Sequence, residues 1–458
     1  MRLLMVLMEK KVNKKAEENY TKKEIEKIIE RNNQLEHEVA SLNKIVKSRR
    51  FQFADKIGNL YNRVVPEHTI RRRVARGLYA PVRYVSNRKH TVKFRTMQKM
   101  ASNYSRVIVM HSIPWNVSLK QRPHHLAARL AEHDLFMIYL EPDEALTSFR
   151  KISDNFVTIN SLETALKIPK KSNTRYYFFF NNVSNIPLST IEKIKSNGFE
   201  IVYEYIDEFH EDISGTITNQ LDVWNNLKNI KPAVVLASAD KLYDDAIKNY
   251  RKDRVLLSKN AVNISDFDFH NYKDIEIPSD MKKILLKNHK IVGYYGAISP
   301  WLNYDLIHET AKSNPDMEFV FIGSNYQNSL QKLDISIKNI HFLGPKDYRK
   351  LPYYSSLFDC AIIPFSYGEI AKGTSPVKLF EYMAMGLPTV CTRDLLECYG
   401  YENVLISKDN NEFSKNICNA VRIKEDEQAR EKLLEQARNN SWHSRANDIV
   451  DYLDLYEK

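Results

Sequence analysis

From about residue 104, short apolar runs alternate with stretches in which apolar residues recur every three or four positions. Arg106–His111, Leu135–Leu140, Arg175–Phe180, Glu200–Ile206, Ala233–Ser238 and Arg254–Leu257 read as strands. A polar stretch, Asp266–Lys287, interrupts the series. A second series follows: Lys290–Ala297, Glu318–Ile322, Ile340–Leu343, Phe358–Pro364, Pro388–Thr392 and Val404–Ser407. Strands alternating with helices predict parallel sheets with right-handed crossovers. Two such series predict an α/β protein of two Rossmann-like domains, residues 101–275 and 276–440, facing across a cleft. Ligand is expected at the carboxyl ends of the strands. A last helix, 441–458, is expected to cross back to the first domain.

The first hundred residues have another texture. Thr21-Lys-Lys-Glu24 has the form of a capping box. Ile25, Ile28, Asn32, Leu35, Val39, Leu42 and Val46 then fall alternately three and four residues apart. This is a heptad seam, with Asn32 at an a position, and it predicts a coiled-coil homodimer through residues 21–48. A single helix packing on the rest of the chain is the other reading. Further on, Phe53, Ile57, Leu60, Tyr61 and Val64 share one helical face, as do Ile70, Val74 and Leu78.

Charge changes the picture of this segment. The net charge of +11 is not spread over the chain: residues 1–100 carry +15 and the remainder −4. Residues 44–99 alone carry +14, with Arg71–Arg73, Arg76 and Arg83 beside the apolar faces. Basic amphipathic helices suit an anionic membrane surface, where each Lys or Arg gains roughly 1 kcal/mol. Docking on the catalytic body is the alternative, and a nucleic-acid partner is not expected. No apolar run approaches the ~20 residues of a membrane span. The apolar start, Met1–Met8, runs straight into Glu9 and lacks the form of a signal peptide. Cys360, Cys391, Cys398 and Cys418 have no CxxC spacing and read as reduced thiols. The expected place is the cytoplasm, peripheral on the inner face of the cell membrane.

The chemistry concentrates in Gly373-Thr-Ser-Pro-Val-Lys-Leu-Phe-Glu-Tyr-Met-Ala-Met-Gly-Leu-Pro-Thr-Val-Cys391. It reads as loop, helix and strand, with Ser375 as N-cap and Pro376 at the first helical position. Free N–H groups and the positive dipole end then offer a phosphate site. Lys378 and Glu381 share a face, and a carboxylate there can accept two hydrogen bonds from a ribose diol. Ile291-Val-Gly-Tyr-Tyr-Gly-Ala297 reads as a strand followed by a tight turn, with Gly293 and Gly296 allowing close backbone approach. Absence of GxGxxG and GxxxxGK[ST] argues against a nicotinamide dehydrogenase and a P-loop NTPase.

The segment resembles the nucleotide-sugar motif of GT-B glycosyltransferases, in particular retaining enzymes with an E-x7-E signature. By that resemblance Glu381 matches the second glutamate, which holds the ribose. The first glutamate falls on Gly373, so backbone amides of Gly373, Thr374 and Ser375 are expected to meet the sugar. The resemblance also places Gly296 and Ala297 at the donor. An Arg/Lys pair common in that loop is absent, which leaves the diphosphate to Lys378 and the helix dipole, without a metal. Asp266-Phe-Asp268, an Asp-x-Asp pattern, lies in the interdomain region after Asn260-Ala-Val-Asn263 and carries little weight as a metal site.

Pro114-Trp-Asn-Val-Ser-Leu-Lys-Gln-Arg-Pro-His-His-Leu126 links the first strand to its helix. Its pattern is similar to bacterial polysaccharide glycosyltransferases such as those of teichuronic acid synthesis. Trp115, Gln121, Arg122, His124 and His125 are therefore expected to face the cleft and bind the acceptor, with the donor phosphates as the alternative ligand of Arg122, His124 and His125. Asp207, Glu208 and His210, at the end of Val202–His210, are the candidate catalytic residues for orienting an acceptor hydroxyl. The expectation is transfer from a nucleotide diphosphate sugar to a glycan or lipid-linked bacterial surface polysaccharide. A nucleotide-sugar epimerase of the same fold and a non-catalytic membrane scaffold are the rivals.

Overall fold

The computed structural model describes residues 94–117, 120–142, 148–211, 217–272 and 276–457. The expected coiled coil over 21–48 and the basic helices before residue 94 lie outside the described residues. A helix over 94–101 places Met97 and Ala101 in the core, and a compact unit runs from Lys93 to Lys458. The expected boundary at residue 100 would cut this helix.

Eight strands form the first sheet: β1 (Arg106–His111), β2 (Phe136–Leu140), β3 (Phe149–Lys151), β4 (Phe156–Ile159), β5 (Arg175–Asn181), β6 (Glu200–Tyr205), β7 (Val234–Ala237) and β8 (Val255–Leu257). Their order is β3-β4-β2-β1-β5-β6-β7-β8. Every pair is parallel except β3–β4. Six strands form the second sheet: β9 (Lys290–Tyr295), β10 (Met317–Ile322), β11 (Ile340–Phe342), β12 (Cys360–Ile363), β13 (Thr389–Thr392) and β14 (Val404–Ser407). That sheet, ordered β11-β10-β9-β12-β13-β14, is parallel throughout. All twelve expected strands appear. β3 and β4 were not expected, and they extend one edge of the first sheet.

The helices that matter below are α1 (Arg122–Leu130), α2 (Asp240–Asn249), α3 (Val377–Ala384) and α4 (Trp442–Glu457). Continuous apolar strands such as Val107-Ile-Val-Met110 are buried on both faces, as parallel sheets require. One face packs Phe178, Phe180 and Tyr203 with flanking helices. The other packs Met110, Tyr139 and Phe179 against α1 and α4. Ala446, Ile449, Val450 and Leu453 of α4 belong to this first-domain core. Fully burying each of its larger aliphatic side chains contributes about 1.5–3 kcal/mol. Arg106 pairs with Asp454, and the Tyr452 hydroxyl donates to the Asp253 carbonyl at 2.6 Å.

The chain passes between the domains twice, and the two passages run side by side. Val262 N–H donates to Asn440 O at 3.1 Å, and Trp442 N–H donates to Val262 O at 3.0 Å. The strand-end loops of both sheets therefore meet near the two linkers.

Candidate functional site

α3 is built to carry its two ionisable groups inward. Leu379, Phe380, Tyr382 and Met383 are buried, and the Tyr382 hydroxyl accepts from Tyr295 N–H at 2.9 Å, which fixes the helix to the end of β9. Glu381 is buried, only 5% exposed. Burial pushes its carboxyl up to about 7, against the pull of the Lys378 ammonium. Burial lowers Lys378 to about 8, with Glu381 opposing. The Lys378 ammonium lies 5.4 Å from the Tyr294 ring centre and 5.1 Å from that of Phe365. It also presses on the turn after β9. A Cβ on Gly296, which has φ +143°, would lie 2.7 Å from Lys378 Cε and 3.1 Å from its Nζ. Tyr294 donates to the Ala297 carbonyl at 3.0 Å and holds the turn. Lys378, Glu381, Gly296 and Ala297 are thus gathered in one place.

The start of α3 differs from expectation by one residue. Pro376, not Ser375, occupies the cap position, and Val377 is the first helical residue. The reason is a competing partner. The Ser375 hydroxyl accepts from Asn260 N–H at 3.2 Å, and the Ser375 carbonyl accepts from Asn260 Nδ2 at 2.6 Å. Ser375 ties the α3 loop to the interdomain linker instead of capping the helix. Thr374 donates to the Ile370 carbonyl at 2.6 Å. Gly373 is buried against Glu208 of the first domain.

Arg122, His124 and His125 do not face open cleft; they are 5%, 2% and 8% exposed. Arg122 Nε donates to Glu204 at 3.0 Å, and its terminal nitrogens donate to the Ser258 carbonyl at 2.9 Å, the Ser258 hydroxyl at 3.2 Å and the Lys259 carbonyl at 3.3 Å. A guanidinium spent on a buried carboxylate and linker carbonyls has nothing left for an acceptor. His124 Nδ1 accepts from Gln121 N–H at 3.1 Å, and its Nε2 meets the Pro114 carbonyl at 2.9 Å. The His125 ring stacks on Trp442, 5.5 Å away at 4°, and touches Tyr348 at 5.3 Å. Burial drives His125 down to about 3, so it is neutral. The expected acceptor role of these three gives way to an internal one. Trp115 is half-buried, packed edge-on to Tyr139 and Phe156 under the Lys120 ammonium, and Gln121 is exposed.

Past β6, Asp207 is half-buried, and burial with the Glu208 charge pushes it up to about 7, against Arg122. Asn182 donates to its carbonyl at 2.7 Å. Glu208 pairs with Lys241 of α2, and Lys241 reaches Glu369 of the second domain at 3.4 Å. His210 is exposed. Asp266 and Asp268 shape a turn: Asn263 donates to Asp266 at 2.7 Å and His270 N–H to Asp268 at 3.0 Å. Sequence reasoning missed Lys241 and Lys259. Lys259 pairs with Asp240 at 2.7 Å and with Glu397 at 3.4 Å. Their one visible signal was position, each just beyond the carboxyl end of a strand.

The fold and this cluster can now be set beside known proteins. Residues 289–422 match the family of glycosyl transferases group 1. That segment is the second domain, and it contains α3 and the β9 turn. Over 105 residues the chain is 34% identical to a putative teichuronic acid biosynthesis glycosyltransferase, TuaH, of Bacillus subtilis (strain 168). The similarity spans 22% of this chain and 26% of that relative's length. Solved structures share the fold. Sucrose-phosphate synthase from Thermosynechococcus elongatus has a TM-score of 0.54 at 14% identity, covering 77% of this chain and 99% of that one. Anabaena HepE in complex with UDP and glucose has 0.55 at 14%, covering 76% and 99%. Trehalose 6-phosphate synthase from Burkholderia multivorans has 0.58 at 11%, covering 77% and 99%. The architecture is therefore GT-B-like.

The raised carboxyl makes a stability prediction. Between pH 4.5 and about 7 the unfolded chain has lost the Glu381 proton that the folded chain keeps. The folded state binds more protons there, so stability falls as pH rises through this window. Asp207 adds a slope of the same sign from 3.8 to about 7. Lys378 acts elsewhere, between about 8 and 10.5, where stability rises with pH. Urea unfolding at about pH 5 and pH 7.5 should show the Glu381→Gln protein losing roughly 1–3 kcal/mol less than the wild type over that interval. An unaltered slope would mean that Glu381 ionises normally.

Proposed function

We propose that this chain is a glycosyltransferase that moves a sugar from a nucleotide diphosphate sugar to a lipid-linked bacterial surface polysaccharide, with retention and without a metal. The observation that carries the reading is that half-buried Lys378 and buried Glu381 stand three residues apart on α3, beside the Gly296 turn. A cation next to helix-terminal amides suits a diphosphate, and a buried carboxylate one turn on suits a ribose diol. The family match over the second domain supports the reaction class. UDP and glucose in the HepE complex, a protein of the same fold, support the donor class. The name of the Bacillus subtilis relative supports the polymer acceptor.

Catalysis in this reading is charge stabilisation. The leaving diphosphate gains negative charge as the glycosidic bond breaks, and Lys378 with the α3 amides is already placed to meet it. Asp207, with its carboxyl near neutrality, orients the incoming hydroxyl. Residues 1–93 place the enzyme on the anionic inner face of the membrane, as a dimer through 21–48. Among the described residues no helix is long and apolar enough to cross a membrane. Salt-sensitive co-sedimentation with phosphatidylglycerol vesicles, lost on removing residues 1–92, checks the placement; binding that survives the deletion contradicts it.

The donor site is checked by thermal shift with UDP, GDP, CDP and dTDP, since only a ligand of the native state raises stability, by RT ln(1+[L]/Kd). One base should dominate. Glu381→Ala should weaken that nucleotide by about 3 kcal/mol or more, because two ribose hydrogen bonds to a charged acceptor each contribute ~1.5–3 kcal/mol. Unchanged nucleotide affinity in the variant would sink the assignment.

A further inference from the structure

Gly373 is pressed by a side chain from the opposite domain. A Cβ there would lie 2.5 Å from Cγ of Glu208 and 2.6 Å from its Oε1. A side chain there would force the Glu208 carboxylate to move, so glycine admits it where it stands. Glu208 follows β6 of the first domain, whereas Gly373 opens the loop into α3 of the second. Lys241 holds Glu208 through Oε1, and the Glu208 side chain keeps 15% of its surface exposed. It is held in place without being sealed off.

The loop it touches, residues 373–376, has no charged acceptor of its own. Two of its amides expected to meet the sugar are already spent, Gly373 N–H on the Glu369 carbonyl at 3.0 Å and Thr374 N–H on the Ala371 carbonyl at 3.2 Å. Its hydroxyls are engaged: Thr374 donates to Ile370 O, and Ser375 receives Asn260 N–H. Glu369, the carboxylate nearest in sequence, is 63% exposed and paired with Lys372 at 2.9 Å and Lys241 at 3.4 Å. A sugar bound beside this loop presents several hydroxyl hydrogens that need an acceptor. Glu208 is the carboxylate brought to that spot.

We propose that Glu208 is the sugar-recognition residue of the donor site, supplied by the first domain, its carboxylate accepting hydroxyl hydrogens of the transferred sugar beside Gly373. The inference rests on the donor reading of α3 and goes beyond it. It changes the part expected of Glu208 from the acceptor hydroxyl to the donor sugar. Because the carboxylate and the loop belong to different domains, the sugar is gripped only when the domains stand as they do here. Bare nucleotide needs no such arrangement.

The test is calorimetric titration of the full chain with UDP-glucose, UDP-N-acetylglucosamine, GDP-mannose and dTDP-glucose, each beside its bare diphosphate. Glu208→Gln keeps the shape and removes the charge. It should weaken the preferred sugar nucleotide about tenfold or more while the bare diphosphate stays within about twofold. Gly373→Ala, whose methyl displaces the carboxylate, should show the same split. Equal losses for both ligands would mark Glu208 as a structural brace and overturn the proposal, as would no loss for either. Failure of every bare diphosphate to bind the wild type would instead overturn the donor reading, and this inference with it.

Discussion

The arrangement of the two Rossmann-like domains depends on where the Arg122 guanidinium sits. It is buried at the start of α1, ion-paired to Glu204 on β6 and hydrogen-bonded to carbonyls of Ser258 and Lys259 in the linker. Its partners come from two separate stretches of chain, so it fixes the first sheet to the exit of its last strand. Removing one member of such a pair strands the other charge in low dielectric, at a cost of about 3–5 kcal/mol. The linker passes the constraint on. Asn260, one residue beyond, binds both the hydroxyl and the carbonyl of Ser375, immediately before α3. The first domain's geometry therefore reaches the loop before α3 through a short chain of hydrogen bonds. The return passage adds Trp442, stacked on His125 from the same helix as Arg122.

Around α3 the governing term is desolvation. It pushes Glu381 up and Lys378 down, so each sits near its ionisation point close to neutral pH. Neither charge is fully stabilised by the protein alone. In the proposed reading, a ligand carrying phosphate next to a diol supplies what each lacks. Ion pairs also join the domains: Lys241, which holds Glu208, reaches Glu369, and Lys259 reaches Glu397.

Much of the fold was legible because parallel strands buried on both faces leave short apolar runs that periodicity detects. β3 escaped because its three residues, Phe149–Lys151, are half-buried to exposed on an antiparallel edge. β4 is only four residues long. In the site, the α3 segment could be read because loop, helix and strand are contiguous there. Arg122 misled for the opposite reason. A basic residue beside histidines at a helix start looks like a ligand contact, and its true partners lie 82 and 136 residues away. The same holds for Gly373, which showed as a missing carboxylate, while the carboxylate beside it comes from the end of β6. Local pattern reveals elements; side chains that join distant elements appear only once the chain is folded.

The most direct test of the account is product analysis. The full chain, a nucleotide sugar of the preferred base and a lipid-linked glycan extract should release one nucleoside diphosphate per sugar joined to the acceptor, with release dependent on the extract. Conversion of the nucleotide sugar to its epimer, or an intact nucleotide sugar after prolonged incubation with acceptors that bind, would contradict it.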